Sequence, residues 1–399
     1  MYYQIEKYTR KLVRDGSAVP ESIRLYALDD RMISSREDEW VEVFNRVFEG
    51  LNVSSILFAR PSLPFADFLI RRAPFGTDRL TPDDSETRVF LHDIPIIRRD
   101  EWMDRPMFLL SERIVSGLRG RKAVIIEGLG VVSAGGLTIE QAYIGFSTIF
   151  HATFVKYLLD LLKEGFRLDE EVEAFADFRG MWSRPIDVSG LDLGCKGRDR
   201  NAPARGVEYE EICRIGRYTV EKGLVDSFFG NISVFDGRTI YISETASSLD
   251  ELEGHIVPVS IDGSSTAGIS ASSELPAHRA VYQNNMGFCA VLHGHPKFSV
   301  VMSMYCAEEK CEVKDCTMNC TRSRFACGVP IVAGETGAGG IAAAVPMGIR
   351  ERGVCIVYGH GVFAASESGL CHAFMKMVDT ENRCRAEYFR LVDEIVSRS

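Results

Sequence analysis

Apolar residues recur along the chain at two periods, and the switch between them predicts the elements. In residues 38–51, Trp40, Val43, Phe44, Val47 and Phe48 follow one another at three and four, the spacing of one helix face. Residues 53–58 read as a short strand leading through Arg60 and Pro61 into a helical pattern that carries Phe65, Phe68, Leu69 and Ile70. A charged loop is expected over 72–88, a strand over 89–97, a helix over 109–118 and a strand over 123–126. Residues 138–163 carry a broad apolar stripe and predict a long helix. Residues 1–21 are polar and mixed, an arm or first helix without evident chemistry. After Phe178 the pattern gives way to Gly, Pro and charged residues, so 179–204 is expected to link two domains, 1–178 and 205–399. In the second, 209–222 reads as a helix stopped by Gly223, and 228–234 and 239–242 as strands joined by a tight turn at Asp236-Gly237. Residues 288–292 and 354–357 read as buried strands.

The first of those two runs ends in His293 and His295, which period two puts on one face. His360 follows the other run, and Glu274 precedes a helical pattern over 275–282. Four possible ligands of one metal ion therefore come from three separate elements.

The two halves repeat each other weakly. Residues 123–131 (AVIIEGLGV) match 354–362 (VCIVYGHGV), 55–61 match 290–296, and Ile94-Pro95-Ile96 matches Val329-Pro330-Ile331. Where the second half has its three histidines, the first has Phe58, Arg60 and Leu129, so the first copy is expected to be metal-free. No stretch of it matches Gly230-Asn231-Ile232-Ser233-Val234, which makes it a truncated copy.

Composition narrows the class. With 399 residues, 46% of them hydrophobic, the chain can bury two cores. A net charge of −10 without a basic block argues against nucleic acid as a partner. No apolar run approaches the roughly 20 residues of a membrane span, and residues 1–7 lack the apolar core of a secretion signal, so a cytoplasmic protein is expected. Among the cysteines, Cys306, Cys311, Cys316, Cys320 and Cys327 crowd into one polar stretch. In a reducing compartment they read as a second metal site, zinc or an iron–sulfur cluster, or as free thiols, although their spacing forms no tight CxxC pair. The scattered cysteines read as core.

Four pieces in order, Gly230-Asn231-Ile232-Ser233-Val234, Ser272-Ser273-Glu274, His293-Gly294-His295 and Gly359-His360-Gly361, resemble the class II aldolase/adducin family, which includes fuculose-phosphate aldolase. The likeness covers 205–399. It implies a three-layer α/β/α sandwich around a mainly antiparallel sheet, with the first half a truncated copy. It implies that His293, His295 and His360 bind a divalent cation, usually zinc, and that Glu274 completes the site. Three neutral imidazoles leave an exchangeable position for a substrate carbonyl or enediolate oxygen, and Glu274 would move the proton. Asn231, Thr245, Ser272 and Ser273 are the implied anion-binding residues, the serines doubling as a helix cap. Glu244, in the turn before Thr245, puts a negative charge where the family binds phosphate.

The implied activity is retro-aldol cleavage of a hydroxy-carbonyl compound such as a sugar phosphate. Epimerisation, dehydration and decarboxylation share its enolate chemistry. A non-catalytic adducin-like scaffold, or a metal or redox sensor built on the cysteines, are rivals of another kind. The family's sites lie at subunit boundaries, which implies a homo-oligomer and would let the first copy play the neighbour's part. His278 and His372 read as helix residues on a core or interface face, and Tyr358 as a packing residue at a strand end.

Overall fold

The two hydrophobic periods resolve into two sheets with helices on both faces. The fold is that of a computed structural model, which describes residues 1–195, 209–226, 228–264, 269–284, 287–306, 324–333 and 338–398. The chain divides into two units, Met1–Phe178 and Arg179–Ser399. Residues 196–204 of the expected linker lie outside the described residues.

In the first unit, α1 (Tyr2–Arg14) precedes β1 (Arg24–Leu28), β2 (Met32–Ser34), α2 (Trp40–Gly50), β3 (Ser55–Ala59) and α3 (Phe65–Arg72). Then follow β4 (Arg79–Leu80), α4 (Ser85–Leu91), β5 (Ile94–Ile97), α5 (Arg99–Trp102), α6 (Met107–Leu118), β6 (Ala123–Ile126), β7 (Gly130–Gly135), α7 (Ile139–Glu164) and α8 (Asp169–Trp182). The strands order as β2-β1-β3-β7-β6-β5-β4, antiparallel except for β5 beside β6. One face packs Val43, Phe44 and Val47 of α2 and Ile114 of α6 against Tyr26 and Phe58. The other carries α7, whose Thr138 cap and Gln141 form a capping box.

The expected strand over 89–97 is a strand only at its end. Asp84 accepts a hydrogen bond from Thr87 N at 2.8 Å, and this cap turns residues 85–91 into α4.

In the second unit, α9 (Tyr209–Glu221) precedes β8 (Asn231–Phe235), β9 (Thr239–Ser243), β10 (Ile256–Ser260), α10 (Leu275–Asn284), β11 (Ala290–Gly294) and α11 (Lys297–Met304). The chain continues with β12 (Arg324–Ala326), β13 (Val329–Val332), α12 (Ala338–Gly348), β14 (Val354–Val357), β15 (Gly361–Ser366) and α13 (Leu370–Arg398). The sheet order is β10-β9-β8-β11-β15-β14-β13-β12. Here too a single pair, β13 with β14, is parallel. The helices α10 and α12 share a core with Val291, Cys355, Val357 and Phe363.

The registers of the two sheets coincide. Phe58 faces Val132 as His293 faces Phe363, and Ile97 lies beside Ile126 as Val332 lies beside Val357. The expectation that the first copy lacks the Gly-Asn-Ile-Ser strand is therefore corrected. β1 holds that place, with Arg24 facing Phe58 as Asn231 faces His293. Cross-strand pairing preserves the position after all likeness in sequence has gone. The first copy is shorter at the sheet edge, where β10 has no counterpart.

The reading of every scattered cysteine as core is corrected too. Exposed Cys195 forms a disulfide with Cys371, at the start of α13, across a Cα separation of 5.5 Å, within the span such a bond requires. Among the described residues, no helix is long and apolar enough to cross a membrane.

Candidate metal centre

Alternation along β11 sends Val291 into the α10 face of the sheet, and His293 with it. His295 follows where the strand ends, and His360 stands in the turn between β14 and β15. Their ligating atoms all lie within 4.8 Å of one another, and all three rings are buried. His293 Nε2 is 2.9 Å from His295 Nε2, and the His293 and His360 rings lie parallel with centroids 5.1 Å apart. Glu274, just ahead of α10, sets Oε2 3.3 Å from His293 Nε2 and Oε1 3.2 Å from His360 Nε2. The structure thus brings together the four predicted ligands.

Several details prepare these groups for a cation. His293 Nδ1 donates to Val362 O at 3.0 Å, which leaves the Nε2 lone pair pointing into the cluster. Burial lowers the His293 pKa to about 4, so the ring is neutral near pH 7, the form that ligates. Burial pushes the Glu274 carboxyl up, but His293, His360 and the Asn231 amide overbalance it and hold the group below the usual carboxylate range. Gly361 has no side chain for a reason: a Cβ there would stand 2.4 Å from Gly294 O, 2.6 Å from His295 Cδ2 and 3.0 Å from His293 Cε1. Nitrogen donors with one carboxylate suit a divalent cation of the zinc type. Among the described residues, this is the one cluster of three or more such groups.

The remaining predicted residues fall into two sets. Asn231 is buried at the start of β8, where Nδ2 donates to Glu274 Oε2 at 2.7 Å and Oδ1 accepts from His278 Nε2 at 2.5 Å. Ser272 Oγ accepts from Glu274 N at 3.3 Å, and exposed Ser273 lies between them in sequence. Thr245 N donates to Ser270 O at 2.9 Å. The Glu244 carboxylate is hydrogen-bonded to His255 Nδ1 at 2.9 Å.

Within the cysteine stretch, Cys311, Cys316 and Cys320 lie outside the described residues. Cys306 is exposed, and Cys327 approaches Arg383 O at 3.5 Å. Tyr358 lies under the Arg324 guanidinium, 5.2 Å from its ring centroid.

Sequence reasoning missed the polar groups behind Asn231, namely His278, Ser233 and Tyr282. Their spacing held a signal: Glu274, His278 and Tyr282 recur every fourth residue, along one helix face.

Residues 210–388 match the sequence model of the family described as Class II Aldolase and Adducin N-terminal domain. The second unit of the chain belongs to the class II aldolase/adducin family. The chain is 34% identical over 96 residues to a 3-oxo-tetronate 4-phosphate decarboxylase of Cupriavidus necator, a match covering 24% of this chain and 44% of that protein. It is 35% identical over 103 residues to an L-fuculose phosphate aldolase of Methanococcus maripaludis, covering 25% of this chain and 49% of the other. The chain thus spans about half the length of the curated relatives it matches. The crystal structure of L-fuculose-1-phosphate aldolase from Thermus thermophilus aligns with 46% of this chain and 93% of its own, at 23% identity and a TM-score of 0.38.

Proposed function

We propose that the second unit is a zinc-dependent lyase that breaks a carbon–carbon bond near a carbonyl group in an anionic hydroxy-carbonyl substrate, by class a sugar phosphate. The observation that carries this reading is the convergence of His293, His295 and His360 on one point with Glu274 against two of them. A divalent cation held there supplies a Lewis acid that stabilises negative charge developing on a substrate oxygen. Glu274 handles the proton. In the retro-aldol direction it takes the hydroxyl proton and the carbon–carbon bond breaks to release an aldehyde. The carbon left with the electron pair is then protonated as Glu274 returns its proton. Ser272 and Ser273, at the N-terminus of α10, hold the substrate's anionic group together with Thr245. Asn231, with both ends of its amide engaged, serves Glu274 instead.

Decarboxylation of a 3-oxo acid is the second reading, favoured by the likeness to the Cupriavidus necator decarboxylase. There CO2 leaves in place of the aldehyde, and the same carbon is protonated by a proton taken from water, since no substrate hydroxyl has given one up.

The test is metal analysis of the purified chain, followed by assays with phosphorylated ketoses and 3-oxo acids. The expected result is one divalent ion per chain and turnover that falls about 10²–10⁴-fold in Glu274→Gln, the usual worth of a positioned acid or base. Aldehyde or CO2 as product separates the two readings. A metal-free protein in which His293→Ala changes nothing would overturn both and leave the adducin-like scaffold.

A further inference from the structure

Behind Asn231 a chain of buried polar groups runs into the core of the second unit. His278 Nε2 meets Asn231 Oδ1 at 2.5 Å, His278 Nδ1 meets Ser233 Oγ at 2.6 Å, and Ser233 Oγ meets Tyr282 OH at 2.7 Å. Tyr282 OH also lies 3.1 Å from Ser233 O, so its single proton is shared between the two oxygens of Ser233. All four side chains belong to residues at 5% exposure or less.

One fact fixes every donor and acceptor. An ionised carboxylate only accepts, so the Asn231 amide must turn its NH2 to Glu274 and its oxygen to His278. His278 then carries its proton on Nε2 and accepts at Nδ1 from the Ser233 hydroxyl, which leaves Tyr282 to donate to Ser233. Every hydrogen bond in the chain points toward Glu274. Reversing any link would leave a buried polar atom unsatisfied.

The fold does not require these groups, as the first unit demonstrates. By strand register, Arg24 and Tyr26 hold the places of Asn231 and Ser233. Val43 and Val47 precede Phe58 by the spacings at which His278 and Tyr282 precede His293. Both valines are fully packed in an apolar core with Phe44 and Phe58. Glu39 holds the place of Glu274 by the same spacing, and there the carboxylate is exposed. Burying a polar chain costs free energy that packed valines do not. The unit that has the chain is the unit that has the histidines.

The geometry points to His278 as a positioning residue: with Ser233 and Tyr282 it orients the Asn231 amide, which holds the Glu274 carboxylate against the metal centre. This deepens the metal-lyase reading above and rests on it.

The test is a double-mutant cycle on the full chain, read by cobalt(II) titration through its visible absorption and by turnover of whichever substrate the screen identifies. In the Glu274 background, His278→Phe should weaken cobalt binding about 10–100-fold, the usual effect of losing a group that orients a ligand. In the Glu274→Gln background the same change should add little, because the group being positioned is gone. His278→Gln should recover most of the loss, since its amide offers one donor and one acceptor in the places of the two ring nitrogens. Should His278→Phe fail to fold, Tyr282→Phe keeps the ring, removes the far donor, and should give a smaller loss with the same dependence on Glu274.

Equal losses in both backgrounds, or a His278→Gln variant no better than His278→Phe, would reduce the chain to packing and overturn the inference while leaving the metal reading intact. A wild-type chain that takes up no cobalt would overturn both together.

Discussion

Gly361→Ala puts the centre's construction to a quantitative test. The added Cβ would stand 2.4 Å from Gly294 O and 2.6 Å from His295 Cδ2. Non-bonded atoms rest at about 3.5 Å, so β11 and the β14–β15 turn must part by about 1 Å. Overpacking of this kind costs about 1–3 kcal/mol of stability. Its larger effect falls on the ligands, because a metal site tolerates displacements of only about 0.5 Å. A 10-fold or greater loss of zinc affinity is therefore expected, measured by competition with a chromophoric chelator. The first unit supplies the control. At Gly130 a Cβ would meet Ala59 O at 2.5 Å and Arg60 Cα at 3.1 Å, on backbone whose φ of +146° already disfavours a side chain. Gly130→Ala should cost comparable or greater stability, read by urea unfolding, and leave zinc affinity unchanged. If Gly361→Ala binds zinc like the wild type, or Gly130→Ala weakens binding as much, the role given to the Gly361 cradle is wrong.

Acid should destabilise the metal-free second unit. Burial lowers His293 to about 4 and His278 to about 3, so the stability they contribute is present above the ordinary imidazole pKa and is lost as pH falls toward those values. For His293 the loss is on the order of 3 kcal/mol, and urea unfolding of the chelated protein that stays flat from pH 7 to pH 5 would contradict it. In the first unit, Glu171 is fully buried and accepts from Arg72 Nε at 2.5 Å, Arg72 Nη2 at 2.8 Å and Arg167 N at 2.8 Å. Burial raises its pKa, but these bonds overbalance burial and hold it below the usual range, so this stability too is present above the ordinary carboxylate pKa and lost in acid. Glu171→Gln should destabilise that unit by about 3–5 kcal/mol, the cost of breaking a buried ion pair from one side, without altering zinc affinity. Hydrogen exchange resolved by unit checks both statements.

The four residues proposed as metal ligands were legible because each sits where a local period breaks: two histidines at the end of an apolar run, a third after another, and a glutamate ahead of a helix. The elements were legible for the same reason wherever the period ran long enough, as in α2 and α7. β1 was not, since its place is set by pairing with β3 across a loop and a helix, and nothing local in Arg24–Leu28 announces that partner. The chain through His278 was hidden for a similar reason. A lone histidine on a helix reads as core, and its meaning lies in Ser233 and Asn231, which reach it only when β8 and α10 come together.

The divergence of the two copies sharpens this distinction between fold and site. Sheet order and register survive in both, so apolar alternation and strand pairing suffice for the architecture. The positions that would hold a metal are refilled in the first copy by groups that satisfy one another. Arg24 stands 6.0 Å over the Phe58 ring and pairs with Asp38 at 2.6 Å, and Trp40 packs on Phe58 with centroids 4.5 Å apart. Such an aromatic and ionic plug needs no ligand to be stable. The second copy keeps polar, inward-facing groups at the same positions, an arrangement whose burial is compensated only when every partner is in place. Three histidines are thus not the site by themselves. The site is those histidines together with the oriented carboxylate and the buried polar chain that holds it.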